Sequence, residues 1–486
     1  MKTQAQPIHG LRVLFITAEA SPFVKVGGLG DYSGSLPKAV QIAANDRKIK
    51  IDFKIVLPLF QCIKDSFNLK HLFDISLKYA NRFEKASIFQ TCEGFQDFYF
   101  IRRKNKAFPS PVYTADARID GDKFAFISLA ALELVRSLDW SPDIIHTNDW
   151  HTAFSARQAQ LLRFTDPFFK KSKIVISLHN LPFMGAGSES IVNKLGLAIK
   201  DEPSLPFWGR TQPLPIGLTS SDKIIVVSPG YAREIQTAKF GCGLERYLKT
   251  NRSKITGILN GIDIQTWDPR TDPIITHYSE NDLENKQANK IHLTEISGLP
   301  TDKKIPLFVI VSRLDWQKGI DLIFDAFTEL KKKPWSLIIL GTGGEEIQLA
   351  CRSFERSLSK KVRFFQKFDP ELSRKVYAGG DFFLMPSRYE PCGLSQLIAL
   401  RYGTIPVAAS VGGLKDTIIT EKGRNTGILF KPEDQSALAE AVEKAINLFT
   451  TSDEFRNVQI RAMREDFSWR KSAKKYLTIY QTLSTN

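Results

Sequence analysis

The chain has 486 residues, 43% apolar and 24% charged, with 30 Gly and 24 Pro, which excludes collagen-like, disordered and coiled-coil architectures. That length suggests two large domains or three modest ones. Lys and Arg number 67 against 52 Asp and Glu, a net charge of +15 that suits a polyanion, an anionic surface or a small phosphorylated substrate. The runs Arg102-Arg103-Lys104, Lys331-Lys332-Lys333 and Lys474-Lys475 are short and read as solvated faces. The cysteines number five, an odd count with no C-x-x-C, which points to reduced thiols in a cytosolic protein. The polar start, 1–10, lacks the apolar core of a signal peptide, and no run reaches the roughly 18 apolar residues of a membrane span. A cytoplasmic protein without membrane or nucleic-acid partners is expected.

Short β-branched or aromatic runs alternate with helical patterns along the whole chain. In the first half the runs are 11–17, 51–57, 97–101, 143–146, 174–178 and 223–227. In the second half they are 306–311, 337–340, 362–365, 382–385, 405–408 and 427–430. Many are continuously apolar, as strands covered on both faces are. Between them Ile323, Phe327 and Leu330 share a helix face, as do Leu438, Val442, Ala445 and Phe449. Strand–helix–strand repetition predicts parallel sheets with right-handed crossovers, and about six strands per half make one doubly wound domain each. The fold class is therefore α/β with two Rossmann-like domains, 1–256 and 262–468. The seam falls near 256–263, where Gly257 and Gly261 punctuate the chain, and a helical stretch, 469–486, closes it.

Ligands of open α/β sheets sit beyond the carboxyl ends of strands, so the residues after each run are the candidates. After the first come Lys25-Val26-Gly27-Gly28-Leu29-Gly30-Asp31, glycines and a lysine before a helix, which suit a phosphate. Gly28, Gly30 and Gly34, with Asp52 further on, do not keep the dinucleotide spacing, and a tight structural turn explains the loop equally well. His146-Thr147-Asn148-Asp149-Trp150-His151 crowds polar groups at another strand end; its two histidines fit metal-ligand spacing poorly. His179 ends a further strand, where it could polarise a sugar oxygen or simply cap the strand.

In the second half, Arg313 and Lys318 follow a strand and form a cationic pair suited to a diphosphate. Gly341-Thr342-Gly343-Gly344 is a glycine turn after a strand. In Glu390-Pro391-Cys392-Gly393-Leu394-Ser395 a carboxylate stands beside the backbone N–H groups of a helix start. Val411-Gly412-Gly413 opens another helix. Taken together these turns point to a nucleotide-diphosphate site in a single cleft.

At these residues the sequence resembles the bacterial-type glycogen synthase and plant starch synthase family, retaining glucosyltransferases of the two-domain GT-B fold. The resemblance runs from Val13 to Tyr480. Lys25-Val26-Gly27-Gly28-Leu29, Asn148-Asp149-Trp150-His151, His179-Asn180-Leu181, Ser228-Pro229-Gly230-Tyr231, Leu259-Asn260-Gly261, Ser312-Arg313-Leu314 with Gln317-Lys318-Gly319, and Glu390-Pro391-Cys392-Gly393-Leu394 carry it. It implies transfer of glucose from a nucleoside-diphosphate glucose, ADP-glucose favoured over UDP-glucose, to the non-reducing 4-OH of an α-1,4-glucan with retention. It implies no cofactor and no metal, because cationic side chains serve the leaving group. By the same resemblance, Arg313 and Lys318 hold the diphosphate, Leu394 and Ser395 add backbone N–H groups, and Lys25, Gly27 and Gly28 close over the donor. Glu390 contacts the transferred glucose, and His179 lies near its 6-OH and anomeric centre. Asp31, Asp149, Asn260, Gly341, Thr342, Cys392 and Gly393 fall at further donor positions, and Phe368 faces the base. The terminal stretch, 469–486, crosses back onto the first domain.

Val26 departs from the family's commoner Thr or Ser, the Gly-His before Ile55 is missing, and the loop 109–122 looks short. Ile398 stands where sucrose- and trehalose-type transferases carry a second Glu. The competing readings are a retaining transferase with a small acceptor and a non-catalytic glucan-binding homologue; loss of Arg313, Lys318 or Glu390 would mark the latter, and all three are present.

Overall fold

The computed structural model describes residues 10–63, 67–104, 106, 108 and 111–485. The polar start up to residue 9 and positions 109 and 110 of the loop read as short lie outside them. The chain forms two compact units, Met1–Asn260 with Trp469–Asn486, and Gly261–Ser468.

The first unit is built on β1 (Leu11–Ile16), β2 (Ile51–Pro58), β3 (Lys70–Tyr79), β4 (Arg82–Glu93), β5 (Gln96–Arg103), β6 (Ile144–Asn148), β7 (Lys173–Leu178), β8 (Lys223–Val226) and β9 (Ile255–Gly257). They form one nine-stranded sheet in the order β3-β4-β5-β2-β1-β6-β7-β8-β9. The expectation of about six parallel strands is corrected here: β3 pairs antiparallel with β4 and β4 antiparallel with β5, and β9 extends the other edge. In β3 exposed residues alternate with buried ones, as in a strand with one solvated face, and in β4 only 86–88 are buried, so neither is continuously apolar. The central strand β1 is the opposite case, with Val13, Leu14, Phe15 and Ile16 all at 0% exposure. The helix Trp469–Thr485 adds Trp469, Ala473, Tyr476, Leu477 and Tyr480 to this core.

The second unit holds β10 (Leu307–Val311), β11 (Ser336–Leu340), β12 (Val362–Phe365), β13 (Phe382–Met385), β14 (Ile405–Ala409) and β15 (Ile428–Phe430). All pair parallel in the order β12-β11-β10-β13-β14-β15. Numbered within the unit this is 3-2-1-4-5-6, the doubly wound order. Two helices of this unit start on side-chain caps: Asp369 accepts from Leu372 N–H at 2.9 Å and Asp434 from Ala437 N–H at 3.0 Å. The strand order reverses at β1/β6 in the first unit and at β10/β13 in the second, and ligands of such sheets bind outside the carboxyl ends there.

Candidate active site

In the second unit the loops leaving β10 and β13 are locked to each other. After Val311 the chain makes a single 3₁₀ turn, Trp316–Lys318, with Asp315 accepting from the Lys318 N–H at 3.2 Å. The turn ends at Gly319, whose φ is +64° and where a Cβ would stand 2.1 Å from the Pro386 carbonyl oxygen, so no side chain fits. Arg388 N–H donates to the Gln317 carbonyl at 2.9 Å, and Gln317 Nε2 donates to the Tyr389 carbonyl at 3.3 Å. This interlock brings Lys318 Nζ to 2.6 Å from Glu390 Oε2, which also accepts from Ser387 Oγ at 3.1 Å. Glu390 is 5% exposed, so its charge is held by that ammonium and hydroxyl rather than by bulk water. Arg313 is more open, with one guanidinium nitrogen 3.2 Å from Asp315 and another donating to Gln317 Oε1 at 3.4 Å.

The glycine turn after β11 is placed by the same loop. Leu314 N–H donates to the Thr342 carbonyl at 2.8 Å, and a Cβ on Gly341 would lie 2.0 Å from the Ser312 carbonyl oxygen. Gly413 N–H donates to the Glu390 carbonyl at 3.0 Å and packs on Cys392, so the β14 loop buttresses the acid's backbone. Gly393, at φ +71°, leads to Leu394, which caps the helix Ser395–Arg401. Arg313, Lys318, Gly341, Thr342, Glu390, Cys392, Gly393, Leu394 and Ser395 thus gather beyond β10, β11 and β13. Phe368, after β12, stands 82% exposed, its ring presented to solvent.

In the first unit Glu19, two residues beyond the run at 11–17, governs the glycine loop. It is buried, and its Oε2 accepts the N–H groups of Val26 at 2.6 Å and Gly27 at 2.9 Å, while Oε1 accepts from the Tyr113 hydroxyl. The Gly27 N–H is thereby turned onto a carboxylate of the protein's own. A Cβ on Gly27 would meet nothing within 4 Å, so the protein's own packing does not demand glycine there. Lys25 Nζ lies 2.8 Å from Asp31 Oδ1, and Gly28 opens the helix Gly28–Asn45.

Beyond β6, Asp149 begins the helix Asp149–Thr165 at φ +51°, a strained conformation of the kind concentrated at functional sites. Its Oδ1 accepts from His179 N–H at 2.7 Å and Asn180 N–H at 3.4 Å, and burial pushes its pKa up to about 7. The His179 ring has Nε2 3.2 Å from Asn148 Oδ1, and burial pulls its pKa down to about 3, so the imidazole is neutral. Asn260 Oδ1 and Asn180 Oδ1 are buried acceptors without a hydrogen-bond partner among the described residues. The two-histidine metal reading finds no support in these contacts: both nitrogens of His146 are engaged, by Tyr480 at 2.6 Å and Ser177 at 2.7 Å. Among the described residues no group of three or more His, Cys, Asp or Glu is placed to hold a metal ion.

Sequence reasoning missed Glu19 and Tyr113 and gave Asn148 and Ser387 no role of their own. Glu19 had a readable signal, being the lone acid between Ala18 and Ala20 just past a strand end; the other three acquire their roles only through contacts.

Two Rossmann-like units, the second with an acid and cations at its switch point, match the architecture of the two-domain α/β glycosyltransferases. The starch synthase catalytic domain family matches residues 12–250, and the glycosyl transferases group 1 family matches residues 293–465. The glycogen synthases of Clostridium perfringens and Thermotoga maritima are each 37% identical to this chain over 97% of its length and 98% of theirs. The chain belongs to the glycogen and starch synthase family, and is a glucosyltransferase. Its structure is similar to the catalytic domain of starch synthase IV from Arabidopsis thaliana bound to ADP and acarbose, with a TM-score of 0.88, 31% identity and coverage of 98% of this chain and 100% of that one. Sucrose-phosphate synthase from Thermosynechococcus elongatus, at 18% identity and a TM-score of 0.61 over 98% of this chain and 99% of that one, shares the fold. No described helix is long and apolar enough to cross a membrane.

Proposed function

We propose that this protein elongates an α-1,4-glucan, moving glucose from a nucleoside-diphosphate glucose, ADP-glucose by preference, onto the non-reducing 4-OH with retention. The observation that carries the reading is the Lys318–Glu390 pair at 2.6 Å, beside Arg313 and beyond the β10/β13 switch point. Glucosyl transfer develops positive charge on the sugar ring and negative charge on the departing diphosphate. Arg313 and Lys318 stabilise the diphosphate, with the Leu394 and Ser395 N–H groups beside them; fixed donors of this kind are worth roughly 3–4 kcal/mol each in the barrier. Glu390 lies against the transferred glucose, where a buried carboxylate favours the cationic ring. The diphosphate oxygen takes the acceptor's proton as it leaves on the same face.

Lys25, Gly27 and Gly28 address the donor from the first unit, Gly27 by its small size. His179, neutral, hydrogen-bonds the glucose 6-OH. Asp31, Asp149 and Asn260 complete the donor contacts of that unit, as Gly341, Thr342, Cys392 and Gly393 do in the second, and Phe368 stacks on the base. The test incubates the protein with labelled ADP-glucose or UDP-glucose plus glycogen, with and without EDTA. Incorporation into polymer, undiminished by EDTA, is expected, with turnover falling about 100-fold or more in Arg313→Ala and Lys318→Ala. Near-normal kcat with only a raised KM in either variant would remove the leaving-group role. Transfer to small sugars but not to glycogen would replace the acceptor.

A further inference from the structure

Behind His179 a chain of polar side chains runs through the interior of the first unit. Tyr32, His146, Ser177, Tyr476 and Tyr480 are all at 0% exposure. Tyr480 OH lies 2.6 Å from His146 Nδ1, His146 Nε2 lies 2.7 Å from Ser177 Oγ, and Ser177 Oγ lies 2.8 Å from Tyr32 OH. Tyr32 OH donates to Tyr476 OH at 3.2 Å. That assigned direction fixes the others. Tyr32 then accepts from Ser177, Ser177 accepts from His146 Nε2–H, and His146 Nδ1 accepts from Tyr480. Burial holds His146 down to about 3 and raises the Tyr32 and Tyr480 hydroxyls, so all three stay uncharged near neutrality. A buried polar network is worse than an apolar filling unless every member is satisfied, and when satisfied it fixes one arrangement of the core.

What this one fixes is visible at its end. The Tyr32 ring meets the His179 imidazole edge-on, with centroids 4.4 Å apart at 78°, and Trp469 backs Tyr32 at 5.8 Å. We propose that Tyr32 is a positioning residue for His179, clamped by its hydroxyl to Ser177 and to Tyr476 of the terminal helix. Asn148 then holds one nitrogen of the imidazole, and Tyr32 fixes the ring's tilt. The terminal helix is part of the device, since Tyr476 and Tyr480 both lie on it.

The inference rests on the role proposed for His179, and two measurements separate the two. In kinetics, Tyr32→Leu should lower kcat roughly tenfold, since small misplacements of catalytic groups are costly. The donor KM should stay within about twofold, and the same substitution in a His179→Gln background should change kcat by less than about twofold. In imidazole NMR of the full chain, whose histidines number seven, the conservative Tyr32→Phe and Tyr476→Phe should each shift the His179 signal, identified by its loss in His179→Gln. An unmoved His179 signal in both variants, or an equal kcat loss with and without His179, overturns the positioning role. Wild-type turnover in His179→Gln would instead overturn the reading of His179, while a shifted signal would still report the clamp.

Discussion

At the scale of single residues, the first unit's candidate site runs on buried polar groups held by other protein groups. Glu19 is a carboxylate enclosed by two backbone N–H donors and a phenol, so it replaces water as the partner of the loop that carries Lys25. Glu19→Ala strands those donors, at about 1–3 kcal/mol for each buried group left unpaired. It should destabilise the first unit by a few kcal/mol in urea and raise the donor KM. Glu19→Gln, whose amide oxygen can accept both N–H groups, should recover most of both; an unchanged KM in Glu19→Ala would show that the loop needs no clamp. The pH dependence follows from four neighbours. His146, His151 and His179 have native pKa values near 3 against 6.5 unfolded, so between those values the unfolded chain binds protons that the native one does not, and stability rises with pH. Asp149 works oppositely: at about 7 against 3.8 it keeps a native proton that the unfolded chain has lost, and stability falls as pH rises through that window. Three histidines outweigh one aspartate, so unfolding near pH 5 should take up about two protons at these four groups, and stability should climb with pH until the histidine contributions fade above about 6.5. Urea melts across that range measure it; flat midpoints would mean the histidines are charged in the native state.

At the scale of elements, the interlock between the β10 and β13 loops is where backbone conformation sets chemistry. Gly319→Ala places a methyl against the Pro386 carbonyl and forces a side chain to φ +64°. It should cost about 1–3 kcal/mol in stability and, by moving Lys318, lower kcat more than it raises KM. Wild-type kcat in a folded Gly319→Ala protein would show that the turn does not set the ammonium. This interlock also explains what was legible in the sequence. Strands such as β10 and β13, and β1 from Val13 onward, could be read because both faces are covered and the apolar run is unbroken. Arg313, Lys318 and Glu390 could be read because strand ends are where such sheets bind. In β3, Ile75, Leu77 and Tyr79 alternate with Ser76 and Lys78, a period-2 signal that a search for continuous runs passes over. Its hairpin turn, Ala80-Asn81, contains neither Gly nor Pro to announce it, although Ala80 sits at φ +54°. Glu19 and Tyr113 are 94 residues apart and Tyr32 and Tyr476 are 444 apart, so no local pattern could pair them.

At the scale of the whole molecule, the two units have separate hydrophobic cores, and only the second is continuous in sequence. The first depends on the last helix, where Tyr476, Leu477 and Tyr480 are fully buried and Trp469 is 7% exposed. Burial of side chains this large is worth about 1.5–3 kcal/mol each, so the four together contribute about 6–12 kcal/mol. Whole domains are stable by only about 5–15 kcal/mol, so the terminal helix alone decides whether the first unit folds. Its loss would also strip His146 and Tyr32 of hydrogen-bond partners inside the core, which worsens the deficit. A chain ending at Ser468 should therefore lose the first unit's unfolding transition in calorimetry while the second unit's remains. Because Arg313 and Lys318 belong to the unit that survives, ADP should still raise the remaining transition by mass action, although glucosyl transfer is abolished. A truncated chain that keeps both transitions would show that the first core closes without its last helix. One that loses both would show that the second unit cannot stand on its own core.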